Sequence, residues 1–151
     1  MVPARHVIRA MLAGEHDRVC ELPPALPIET IRRIPWLVHN RHGLPEPPLS
    51  VERLLGHEGF NVYVFPVPCG GTSGDKIILP QCVPELVELV ALHERAHAWL
   101  GLLGHDSTNE TDAWLLTAAS AECLAALGWF VTAPVWWHEI IRSTWSAAIA
   151  R

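Results

Sequence analysis

The chain has 151 residues, half of them hydrophobic, and a formal net charge of -5. That length suggests one domain with a core that needs no disulfide staples, and the apolar content excludes an intrinsically disordered chain. The acidic balance argues against a basic nucleic-acid-binding face. Nine His and seven Trp stand against three Phe and one Tyr. So many histidines raise the prospect of a metal site and, equally, of a motif arising by chance. Cys20, Cys69, Cys82 and Cys123 form no C-x-x-C pair. Met1 to Arg18 lacks the continuous apolar stretch of a secretory signal. The expectation is reduced thiols and a cytoplasmic protein.

In chain order, residues 1–27 end in a Pro-rich stretch and read as an N-terminal arm and linker, with one domain over 28–151. Ile31, Ile34, Leu37 and Val38 predict a helix over Ile28 to His42, kinked or broken at Pro35 and capped by Gly43. Ser50 predicts the N-cap of a short helix, Val51 to Leu55, that ends near Gly56 or Gly59. Phe60 to Phe65 and Lys76 to Leu79 read as strands, with Cys69 to Gly74 a flexible turn between them. Pro84 opens a helix to about Leu100, stopped by Gly101. A polar loop over Gly104 to Asn109 leads to a helix from Glu110 to Leu127, and Pro134 opens a last, Trp-rich helix within the apolar 128–151. Between Trp114 and Trp137 the only charge is Glu122, and that length can span a bilayer. Thr117, Ser120, Gly128, Thr132 and Pro134 favour a buried helix followed by a turn instead.

The helix from Pro84 contains His93-Glu94-Arg95-Ala96-His97, an H-E-x-x-H motif. Positions i and i+4 lie one turn apart on one helix face, so both imidazoles can reach one Zn²⁺. Glu94 can then act as the base on a water that the metal acidifies, and return the proton to a leaving amine. A third ligand is required. His105 stands too far along for the H-E-x-x-H-x-x-G-x-x-H arrangement. Glu110 and Glu122 both fit an E-x-x-A pattern on the next helix. Glu110, beside the polar loop, is favoured, with Glu122 the alternative. His105 and Asp112 are candidates for supporting the ligands or for an oxyanion donor.

These features resemble the ImmA/IrrE family of zinc metallopeptidases. The resemblance rests on Gly43-Leu-Pro-Glu-Pro-Pro-Leu-Ser-Val-Glu-Arg-Leu-Leu55 with Gly59-Phe-Asn-Val62, on Ile77-Ile-Leu79 leading to Leu92-His-Glu-Arg-Ala-His97, and on Glu110-Thr-Asp-Ala-Trp-Leu-Leu116. It covers about Ile28 to Leu127. Trp114, Leu116 and Thr117 depart from the family's usual residues at those places. The resemblance implies an α+β fold: a mostly helical zincin-like domain with a small β-sheet beside the H-E-x-x-H helix. It implies His93, His97 and Glu110 as zinc ligands and Glu94 as catalytic base. It further implies a cytoplasmic endopeptidase that cleaves a helix-turn-helix repressor in a bacterial stress or prophage response. The substrate would lie along the edge of the Lys76 to Leu79 strand, with the Gly-rich turn moving on binding.

A different class of function is a zinc-binding protein-interaction module without strong catalysis. A fourth ligand such as His105 would close its metal site, and Trp136, Trp137 and Trp145 would form a docking patch. A membrane-anchored zincin is the third reading. None of the three requires direct contact with nucleic acid.

Overall fold

The computed structural model describes residues 28–46, 50–67, 69–81, 84–103, 108–128, 139 and 142–147. The expected arm over 1–27, the start of the last helix at Pro134, and Trp136 and Trp137 lie outside these residues.

Helix α1 (Ile28–His42) runs unbroken through Pro35, so of the expected kink or break the break does not occur. A proline inside a helix costs about 3 kcal/mol. Ile31, Ile34 and Val38 are buried on the face that packs against the later helix over Glu110–Ala126, and each buried aliphatic side chain contributes roughly 1.5–3 kcal/mol. Their burial outweighs the one backbone bond that Pro35 removes. Gly43 ends α1 at φ +77°, and its N–H donates to the His39 carbonyl at 2.9 Å. Only a residue without Cβ adopts that left-handed conformation easily. Helix α2 (Val51–His57) begins where Ser50 accepts from the Arg53 N–H. It continues two residues past the expected Leu55, since Leu54 and Leu55 are fully buried and hold its last turn.

The sheet has three strands, β1 (Asn61–Phe65), β2 (Gly71–Ser73) and β3 (Lys76–Pro80), in the order β1-β3-β2. Strand β1 pairs in parallel with β3, and β2 pairs antiparallel with it. Two expectations change here. The segment expected to be a flexible turn contains β2, joined to β3 by a tight hairpin in which Ser73 faces Lys76. Gly74 supplies the required positive φ of +61°. Strand β3 is central and paired on both sides, so it has no free edge for a substrate; among the described residues the outer edges belong to β1 and β2.

Helix α3 (Pro84–Leu102) passes through Gly101, which was expected to stop it. Every residue from 91 to 100 is buried. A helix buried all round is a central one: α3 packs against α4 (Glu110–Ala126), β3, β2 and α2. Asn109 caps α4 by accepting from the Asp112 N–H at 3.1 Å. Past its C-terminus, Gly128 has φ +89°. The apolar stretch from Trp114 is thus interrupted, and among the described residues no helix is long and apolar enough to cross a membrane.

The fold is therefore mixed α+β, mostly helical, with a small sheet beside the motif-bearing helix. One core joins α1, α2, β3, α3 and α4. Trp145, expected in a docking patch, is half-buried against this core, with the Arg32 guanidinium 4.5 Å over its ring. Its apolar body and its cation partner make it a packing residue. Cys69 and Cys123 are free thiols; Cys20 and Cys82 lie outside the described residues.

Candidate metal centre

Three side chains converge at the mouth of a cleft. His93 Nε2 lies 3.1 Å from Glu110 Oε2, His97 Nε2 lies 2.9 Å from Glu110 Oε1, and the two Nε2 atoms are 3.1 Å apart. The helical spacing of α3 brings the imidazoles together, while Glu110, the first residue of α4, reaches across to them. The histidines are buried and Glu110 is exposed.

The chemistry of this donor set fits a metal ion. Metal–ligand bonds of about 2.0–2.1 Å at tetrahedral angles separate ligand atoms by roughly 3.3 Å. The contacts of 2.9–3.1 Å, one histidine to each Glu110 oxygen, are close to that spacing, and one ligand atom from each residue lies within 4.8 Å of the others. Two ring nitrogens at such a distance repel each other through their lone pairs unless a proton or a cation lies between them. Burial pushes the His93 pKa down, and the neighbouring His97 adds to this, while Glu110 opposes it. The neutral imidazole so favoured is the form that ligates. His93, His97 and Glu110 can thus hold a metal ion.

Glu94 is held separately. The Thr72 hydroxyl on β2 donates to Glu94 Oε2 at 2.6 Å and lies 3.1 Å from its backbone carbonyl. Gly70 makes room for this contact. A Cβ there would stand 3.0 Å from the Ile78 carbonyl oxygen and 3.1 Å from Glu94 Cγ. The cleft, about 500 Å³, is lined by Gly70, Thr72, Glu94, His97, Thr108 and Glu110 among others. Nothing in the sequence marks Thr72 and Gly70, because Gly-Gly-Thr reads as a flexible turn; the hairpin glycine at 74 is the available signal.

The remaining candidates fall elsewhere. Glu122, three turns beyond Glu110, is exposed and outside the convergent group. It lies on the solvent side of α4. Asp112 is fully buried and its carboxylate accepts from Asn109 Nδ2 at 3.3 Å, in the capping of α4. This gives it a structural role at the helix start. His105 lies outside the described residues. Two of the departures from the family pattern meet His93 directly: the Trp114 ring stacks on it at 4.0 Å, and Thr117 Oγ1 lies 3.4 Å from its Nδ1.

The opposite face of the same helix turn carries a second polar cluster. Arg95 donates to Glu58 Oε2 at 2.8 Å, Trp99 Nε1 donates to Glu58 Oε1 at 3.1 Å, and the guanidinium lies 4.0 Å over the Trp99 ring. Burial pushes the Glu58 carboxyl up and the Arg95 guanidinium down in pKa, and each partner holds the other back. His39, beside them, is buried with no hydrogen-bond partner at either ring nitrogen among the described residues. Burial, then Arg95, His42 and His57, lowers its pKa to about 3.

Compared with family models, with curated proteins and with solved structures, the chain matches none.

Proposed function

We propose that the protein is a zinc-dependent endopeptidase of the H-E-x-x-H plus Glu type, acting in the cytoplasm on a helix-turn-helix repressor in a bacterial stress or prophage response. The observation that carries this reading is the convergence of His93, His97 and Glu110 beside Glu94 at an open cleft. Zinc held there would polarise a peptide carbonyl and lower the pKa of a water to roughly 7. The chain's own residues would do the rest. His93 and His97 offer neutral ring nitrogens, and Glu110 offers a carboxylate whose charge balances the site. Glu94 has Oε2 engaged by Thr72, which leaves Oε1 to take a proton from water and pass it to the leaving amine. An extended peptide would add to the outer edge of β2, whose Thr72 lines the cleft. The repressor as substrate rests on the ImmA/IrrE resemblance and on charge, since a net charge of -5 complements a basic DNA-binding partner.

Among the described residues the convergent group has three members. Three protein ligands are the number found in catalytic zinc sites, whereas structural sites have four. The cleft that Glu94, His97 and Glu110 line together favours the protease over the interaction module. The test measures bound zinc and cleavage of a co-encoded repressor for the wild type, Glu94→Gln and Glu110→Gln. Glu94→Gln should keep its zinc and lose about 10²–10⁴-fold in cleavage; Glu110→Gln should lose zinc affinity and cleavage together. Zinc binding with no cleavage by the wild type across several repressors would establish the module, and a wild type without zinc would end both readings.

A further inference from the structure

One stripe of α4 addresses a single imidazole. Glu110, Trp114 and Thr117 occupy positions i, i+4 and i+7, so they share one helix face. Each meets a different part of His93. Glu110 Oε2 lies 3.1 Å from Nε2, the Trp114 ring covers the imidazole face at 4.0 Å and 28°, and Thr117 Oγ1 lies 3.4 Å from Nδ1. Thr117 also donates to the Ala113 carbonyl at 2.6 Å, the shorter of its two contacts. A hydroxyl has one proton. With that proton committed to Ala113, Oγ1 can only accept from His93, which places the imidazole proton on Nδ1. The Nε2 lone pair is then bare and faces Glu110 and His97.

We infer that Thr117 and Trp114 are positioning residues for the metal centre: Thr117 fixes the ligating tautomer of His93, and Trp114 fixes the plane of its ring. This rests on the reading of His93, His97 and Glu110 as a metal site and deepens it. Such partners of a ligating histidine are worth about 10–100-fold in metal affinity.

The test needs no substrate. Zinc affinity is measured by chelator competition for the full chain and for Thr117→Val, Thr117→Ser and Trp114→Leu, with cobalt(II) absorption reporting the ligand geometry. Thr117→Val keeps the shape and removes the acceptor. It should bind zinc about 10–100-fold more weakly and shift the cobalt spectrum, while Thr117→Ser stays within about threefold of the wild type, well short of that range. Trp114→Leu should alter the cobalt spectrum more than the zinc affinity. Thermal unfolding of the zinc-free proteins identifies any variant that fails to fold; should Thr117→Val be one, Thr117→Ala, which also removes the acceptor, carries the decision with the same expected loss, and unchanged affinity in it overturns the assignment. Unchanged affinity in folded Thr117→Val, or equal losses in the Val and Ser variants, would overturn the assignment. A wild type whose zinc binding does not depend on His93 and His97 would instead overturn the metal reading beneath it.

Discussion

Around its motif, α3 builds two polar clusters from neighbouring residues. His93, Glu94 and His97 face the cleft, and Arg95 and Trp99 face the core. On the cleft side the two Nε2 atoms meet each other and an exposed carboxylate, a donor set that could hold a cation. On the core side Glu58 receives one bond from Arg95 and one from Trp99, and its carboxylate oxygens are both engaged. The first cluster gathers acceptors and the second pairs a donor with an acceptor. A gathering of acceptors at a cleft is where a metal binds; a paired, fully buried set holds α2 to α3. Adjacent positions in one sequence motif therefore join a donor set that can hold a metal ion and a buried ion pair separately, according to what the opposite element offers.

The comparison can be broken most forcefully at Glu58. Removing one partner of a buried ion pair leaves an uncompensated charge and costs about 3–5 kcal/mol. Glu58→Gln should lose stability of that order in urea unfolding, while zinc stoichiometry below the transition stays that of the wild type. Loss of zinc from the still-folded variant would show that the two clusters are one.

A smaller effect is expected at His39. Its folded pKa, about 3, lies below the ordinary 6.5, so the unfolded chain takes up a proton that the folded chain refuses. Stability is then complete above about pH 6.5 and falls as the pH drops toward 3. The slope is about 1.4 kcal/mol per pH unit for one proton. His39→Leu should unfold like the wild type above pH 7 and lose less stability between pH 6 and 4. Parallel curves for the two proteins would remove His39 from the core cluster's account.

Smallest is the cap that starts the helix delivering Glu110. Asn109→Ala removes the acceptor for the Asp112 N–H and should cost about 1 kcal/mol in thermal or urea unfolding. Because the cap adjoins Glu110, zinc affinity should weaken with it, in contrast to Glu58→Gln. Equal zinc affinity in both variants would blur the division between the two clusters.

Much of the helical frame was legible in the sequence. Ile28 to His42 with Gly43, the Ser50 cap and the start of α4 after Asn109 are local signals, decided within a turn or two of chain. So is the pairing of His93 with His97, since helical spacing places them together whatever surrounds them. The sheet was legible only in part. Strand β2 is short and rich in glycine, and pairing with β3 is what makes it a strand. Pro35 pointed to a break that packing on α4 prevents.

The partners of the motif were the least legible. Thr72 reaches Glu94 across 22 positions, and Glu58 reaches Arg95 across 37. Glu110 and Glu122 share one sequence pattern, and only the crossing of α3 and α4 separates the residue at the site from the one in solvent. Trp114 and Thr117 looked like departures until His93 lay against them. By itself, then, the sequence determined which helices form and that His93 and His97 share a face, because propensity, capping and periodicity act over a few residues. The tertiary structure decided the central place of β3, the carboxylate that meets the histidines and the buried partner of Arg95, because those depend on which faces pack together to exclude water.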